Sequence, residues 1–126
     1  MKLWIPGPLP GMNEIVEAAK GYGGKGLGYS KLKRAWTETV AWRAKAAGLH
    51  RTPMACVHLD CHWIEAKNKN GATRDPDNIE AGVKFCLDGL KVAGVIPDDK
   101  MANIASIHHT HAMGPLAGVE VTVTPA

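Results

Sequence analysis

The sequence predicts one α+β domain, with a small mixed sheet of about four strands and two main helices. Three observations predict it. The chain has 126 residues, which is one domain's worth by length. Hydrophobic residues make up 45% and charged residues 21%, a globular balance that argues against disorder. Segments of period two and of period 3.6 follow one another over residues 1–126, with no internal repeat and no second domain.

Residues 2–5 are short and apolar, and Pro6-Gly7-Pro8-Leu9-Pro10-Gly11 reads as a rigid loop, so a strand runs into a turn. Residues 14–19 suit a helical turn. Residues 20–28 are Gly-rich with Lys20 and Lys25 and read as a mobile surface loop. A basic flap that closes over nucleic acid is the functional alternative there. The spacing of a phosphate-cradling loop is not met.

Residues 30–47 predict a helix capped by Ser30, with Leu32, Ala35, Trp36, Thr39, Val40 and Arg43 at helical spacing. Residues 54–65 predict a strand. Ala55, Val57, Leu59, Cys61 and Trp63 form its apolar face, and His58, Asp60 and His62 the other. Residues 66–74 are a polar basic loop. A second helix follows over about 78–93, with Ile79, Val83, Cys86, Leu87 and Leu90 as its stripe and Gly94 just past its end. Residues 103–112 and 118–124 predict two more strands, the last alternating Val119, Val121 and Val123 with polar residues.

No run of about 18 apolar residues exists, which excludes a membrane-spanning helix. Pro6 interrupts the start before a signal-peptide core could form, so the cytoplasm is the expected compartment. Cys56, Cys61 and Cys86 are odd in number and lack a C-x-x-C pair, so they read as small buried hydrophobes. The net charge of +3 is uneven. Residues 1–51 carry nine Lys/Arg against three Asp/Glu, a net +6, and residues 52–126 carry six against nine, a net −3. A polyanion for the first part and metal cations for the second is one pairing that fits.

The chemistry concentrates in Arg74-Asp75-Pro76-Asp77-Asn78 and Asp98-Asp99. In extended backbone, carboxylates two residues apart face the same side. Held ~4 Å apart, they repel by ~4 kcal/mol at an effective dielectric of ~20, which a hard oxygen-seeking cation offsets. A plain turn or a capping box, with Asp77 as cap and Glu80 three residues on, is the structural alternative. On one continuous helix Asp77, Lys84 and Asp88 would share a stripe within about 20°. Lys84 would then either pair with Asp88 or point at whatever the carboxylates bind.

This pattern, from Arg74-Asp-Pro-Asp-Asn78 through Lys84, Asp88, Leu90 and Gly94 to Asp98-Asp99, resembles the RusA family of Holliday junction resolvases. The opening is also similar, with a Pro-rich loop leading to Asn13. The resemblance implies a homodimer of mixed α/β fold that needs Mg²⁺ (Mn²⁺ as substitute) and cuts opposing strands of a four-way DNA junction, in recombination and repair. It implies Asp75, Asp77 and Asp99 as catalytic metal ligands with Asp98 beside them, and Lys84 as the essential lysine. It implies no organic cofactor. Lys84 stands seven residues after Asp77, against four in the family's best-known member. Metal-activated water would attack in line and leave 5′-phosphate ends, Lys84 would stabilise the developing charge, and Arg74, Lys67 and Lys69 would hold flanking phosphates.

Rival chemistries fit less well. A haloacid-type phosphatase needs an apolar strand before its D-x-D. An EF-hand needs Gly and Glu where Glu80 and Cys86 stand. A D-x-D glycosyltransferase needs a nucleotide-binding domain. A non-catalytic class remains open, either a degenerate resolvase that binds junctions without cutting or a zinc module. His58 and His62 with His108, His109 and His111 on adjacent strands would hold the zinc.

Overall fold

The computed structural model describes residues 1–24 and 27–126. The elements are β1 (Lys2–Pro6), α1 (Met12–Gly24), α2 (Leu27–Ala46), a 3₁₀ turn (Leu49–Arg51), β2 (Val57–Glu65), α3 (Pro76–Glu80), α4 (Val83–Val92), β3 (Ile104–Met113) and β4 (Gly118–Pro125). The four strands make one mixed sheet in the order β1-β4-β2-β3. β4 is antiparallel to both neighbours, whereas β2 and β3 run parallel. A parallel pair needs a crossover, and α3 and α4 supply it. The domain is α+β, as the sequence predicts.

Period two decides the sheet's faces. Val57, Leu59, Cys61 and Trp63 of β2 and Val119, Val121 and Val123 of β4 are buried. They join Leu3 and Ile5 of β1 and meet Val40, Ala44, Phe85, Cys86 and Leu90 from α2 and α4 in one core. The other face carries His58, Asp60, Ser106, His108 and Thr124, all exposed, so the helices cover one side only. β3 is an edge strand, and among the described residues β2 is its one neighbour. Cys61 and Cys86 are buried as expected, while Cys56 is half-buried. Burial is also what pushes the Cys61 thiol up to about 12, followed by the charge of Asp60.

Four elements differ from the sequence reading. The helical turn predicted over 14–19 is instead a helix from Met12 to Gly24. It takes in residues 20–24 of the predicted mobile loop, and α2, beginning at Leu27, takes in residues 27–28. Packing of α1 along α2 overrides the weak helix propensity of glycine. The rest of that predicted loop or flap, Lys25 and Gly26, lies outside the described residues. In α2, Leu32, Trp36 and Val40 of the predicted stripe face the core with Ala41 and Ala44, whereas Ala35 is exposed. Ala55 is exposed because β2 begins only at Val57. The single helix predicted over 78–93 is two, broken at Ala81-Gly82.

Val40 and Ala41 of α2 face Gly89 of α4, where a Cβ would overlap the Val40 side chain and come 3.1 Å from the Ala41 nitrogen. The missing side chain of Gly89 makes room for Val40. Gly89→Ala is expected to cost about 1–3 kcal/mol through overpacking. Urea titration would read this as a lower midpoint at unchanged slope, and an unchanged midpoint would mean the helices move apart freely.

Candidate active site

The loop after β2 is short and self-bonded. The Asn68 side-chain oxygen accepts from the backbone N–H groups of Asn70 and Ala72, at 2.9 and 3.0 Å. Gly71 closes the turn with φ 75°, a value that favours glycine. This asparagine-centred turn leaves Lys67 and Lys69 exposed.

Arg74 does not share that freedom. Its Nε and Nη2 donate to the two carboxylate oxygens of Glu65, the second at 3.0 Å. Its Nη1 donates to the Leu9 carbonyl at 2.9 Å and to Glu14 at 3.2 Å. Glu65 is the buried charged residue of the core face, 7% exposed, at the end of β2. The hydrogen bond to Glu65 holds the guanidinium's pKa above its ordinary value, against the effect of burial. A fork-to-fork pair of this kind fixes orientation as well as charge. The expectation that Arg74 reaches a flanking phosphate is therefore replaced by an anchor, because its donors are engaged within the chain.

Asn78 anchors the other end of the motif, its side-chain oxygen accepting from the Asn13 backbone N–H at 3.0 Å. Gly11 lies between the two anchors. A Cβ there would stand 2.5 Å from Asn78 Oδ1 and 2.9 Å from Arg74 Nη1, so only glycine lets the N-terminal loop pass. Sequence reading missed Glu65 and Glu14, and noted Asn13 only as the end of the Pro-rich opening, not as a partner of Asn78. One signal was present, since Glu65 continues the inward stripe of β2 where an apolar residue belongs.

Between the anchors stand Asp75 and Asp77, both exposed. Asp75 is the residue preceding α3, with extended φ −71° and ψ 151°, and its side chain makes no capping bond. Pro76 opens the helix, where its missing N–H costs nothing. Asp77 is inside the first turn and not in the cap role, so the capping-box alternative fails. Among the described residues neither carboxylate has a hydrogen-bond or ion-pair partner.

The break after Glu80 changes the geometry expected of Lys84. The backbone passes from α3 to α4 through i→i+3 bonds, Gly82 to Ile79 at 3.1 Å and Phe85 to Gly82 at 3.1 Å. Gly82 packs against Trp63 and Leu9, and a Cβ there would stand 3.1–3.3 Å from their side chains. Asp77 and Lys84 thus sit on different helices, and the shared stripe computed for a continuous helix does not apply. Lys84 is exposed and lies 4.0 Å from Asp88, which also faces Lys33 of α2 at 3.8 Å.

The second acidic pair is engaged locally. Asp98 meets Lys91 at 3.1 Å and Lys100 at 3.5 Å, and accepts the Asp99 backbone N–H at 2.8 Å. That N–H, and then Lys91, hold the Asp98 carboxyl well below the usual range. Asp99 is exposed. Among the described residues no three His, Cys, Asp or Glu side chains gather into a group that could hold a metal. Asp77 lies inside α3, so the same-side facing expected of extended backbone does not apply to it and Asp75; each remains an open oxygen donor of the kind Mg²⁺ takes, since this ion binds through one or two carboxylates and keeps waters. Asp98, already paired, fits poorly.

The histidines are engaged across strands. His58 Nδ1 meets Ser106 Oγ at 2.7 Å, and His62 Nδ1 meets Thr110 Oγ1 at 2.7 Å. His109 and His111 face the helix side. The Trp63 indole N–H donates to His109 Nδ1 at 2.9 Å, and His111 Nε2 lies 3.3 Å from Glu80. The zinc alternative thus has no assembled ligand set among the described residues. Burial lowers the His109 pKa. The unfolded chain then binds a proton that the folded one refuses, so stability is present above about pH 6.5 and declines as pH falls below it. His109→Gln is expected to flatten that decline in melting temperature measured against pH, and an unaltered profile would assign it to other groups.

The chain matches no protein-family model and no curated protein. Among the described residues no helix is long and apolar enough to cross a membrane.

Proposed function

We propose that the chain is a Mg²⁺-dependent endodeoxyribonuclease that resolves four-way DNA junctions by paired nicks, acting as a homodimer in the cytoplasm. One observation carries the reading. The motif Arg74-Asp75-Pro76-Asp77-Asn78 is clamped at both ends, while its two carboxylates stand open and unpartnered among the described residues. Open carboxylates without a counter-charge are the donors that Mg²⁺ takes, since this ion binds through one or two of them and keeps several waters.

Asp75 and Asp77 would hold the ion; the family resemblance suggests Asp99 as a further ligand, although among the described residues the three do not gather into one group. When bound, Mg²⁺ would polarise a phosphate oxygen and acidify a water. The chain's own residues do the rest. Arg74 and Asn78 hold the carboxylates in register, and the exposed Lys67 and Lys69 contact backbone phosphates beside them without reading bases. Lys84, exposed on the first turn of α4, offers a positive charge to the scissile group, with Asp88 as its resting partner. The open edge of β3 gives a second copy a row of unpaired backbone groups, and a twofold pairing would present two sites to a substrate with the same symmetry.

Incubation of a synthetic mobile junction with the protein, with and without Mg²⁺ and beside a linear duplex of the same sequence, tests the reading. Paired symmetric nicks on the junction alone are expected. Tight binding with no cut in Mg²⁺ or Mn²⁺ would leave a junction-binding module, and neither binding nor cutting would end the family reading.

A further inference from the structure

Trp42 is 66% exposed on the outer side of α2. A tryptophan is ordinarily among the better-buried side chains, and nothing in the core claims this one. The Arg43 guanidinium sits 5.8 Å from the centroid of its ring, which holds the indole against the helix. Lys31, Arg34 and Lys45 are all exposed along α2. Over Leu27–Ala46 the helix carries five Lys/Arg against the single carboxylate of Glu38. Two shallow hollows flank this face. One, about 480 Å³, lies beside the indole and is lined by Pro6, Ala35, Thr39 and Trp42 among others. The other, about 400 Å³, is lined by Lys33, Arg34, Thr37 and Val92, and Glu38 borders both.

An acidic protein surface would answer the charges but would leave the bare indole without a role. A polyanion that carries its own planar rings answers both. We infer that the outer face of α2 binds single-stranded DNA, with one base stacked on Trp42 and the backbone phosphates held by Arg34 and Lys45. Base-on-aromatic stacking tolerates any sequence, and cationic side chains spaced along a helix follow a phosphate backbone without reading it. Glu38 lies between the two hollows and limits the cationic track to its flanks. The choice of DNA as the polyanion rests on the nuclease reading above. The site itself shares no residue with the acidic motif, and is a separate holding surface for an unpaired strand.

The probe is a dye-labelled 20-nucleotide oligothymidine, titrated in EDTA so that no cleavage enters, and followed by anisotropy and by tryptophan emission. Wild type is expected to bind with quenching. Trp42→Ala is expected to weaken binding on the order of 10-fold, the size of one lost stack, while Trp42→Phe keeps most of the affinity. Lys45→Ala is expected to lower the slope of log affinity against log salt by about 0.7, one phosphate contact on a single strand. The exposure of both side chains makes misfolding an unsuitable explanation, and a melting curve checks it. The inference is overturned if wild type binds no oligothymidine, or if Trp42→Ala binds within twofold of wild type. It is also overturned if Trp42→Ala changes the sedimentation coefficient but not the affinity, which would give this face to a second copy of the chain. Because EDTA removes the cleavage reaction, failure here leaves junction nicking standing, and failure of nicking leaves this result standing.

Discussion

Asp77→Asn is expected to remove Mg²⁺-dependent nicking of a four-way junction, by at least about 100-fold in rate, and to leave the fold untouched. The first half follows from the role assigned to the carboxylate, since even the outer partners of a metal ligand are each worth 10–100-fold. The second half follows from its surroundings. The Asp77 side chain is exposed and has no partner among the described residues, so its loss should change stability by no more than about 0.5 kcal/mol. Asp98→Asn is the matched contrast. Asp98 already serves Lys91, Lys100 and the Asp99 amide, so its variant should keep most of the nicking. Equal loss in both variants would assign the metal to the second acidic pair as well. Full activity in Asp77→Asn would remove the acidic motif from the chemistry.

Arg74→Ala should behave in the opposite manner, as a stability variant first. It strands Glu65, whose charge is buried at 7% exposure, and it releases the Leu9 carbonyl and Glu14. Removing one partner of a buried ion pair costs about 3–5 kcal/mol. The Arg74 side chain keeps 21% exposure, which puts the expectation at about 3 kcal/mol. Denaturant unfolding of Arg74→Ala, Glu65→Gln and the double variant measures it. If the pair is the anchor described, the double variant recovers much of what Arg74→Ala loses. A loss of under about 0.5 kcal/mol, with weakened DNA binding instead, would return Arg74 to the phosphate role that its sequence position suggests.

The contrast between these two residues shows what the sequence carries. β2 and β4 were legible because every second residue is apolar over most of their length, up to Glu65 in β2, and only one face has to be buried. Asp75 and Asp77 stand out in the sequence by their spacing around Pro76, and the structure leaves both exposed. The break at Gly82 was not. Ile79, Val83, Cys86 and Leu90 keep helical spacing across it, and its cause is the distant pair Leu9 and Trp63 packed on the glycine. The role of Arg74 was hidden for the same reason, because its partners come from the N-terminal loop, α1 and β2. The length of α1 was concealed by glycines whose poor propensity is outweighed by α2 beside it.

The strand order has a consequence for how this domain comes into being. β4 is the last strand in chain order, yet it lies between β1 and β2 and is hydrogen-bonded to both. Until residues 118–125 have left the ribosome, β1 has no sheet to join, and the β2–β3 pair lacks its inner neighbour. Pairing of Lys2 with Thr122 spans nearly the whole chain, the kind of contact that is slow to close. The nascent chain should therefore pass most of its synthesis without a closed core, the apolar faces of β1 and β2 uncovered, and then fold in one late step.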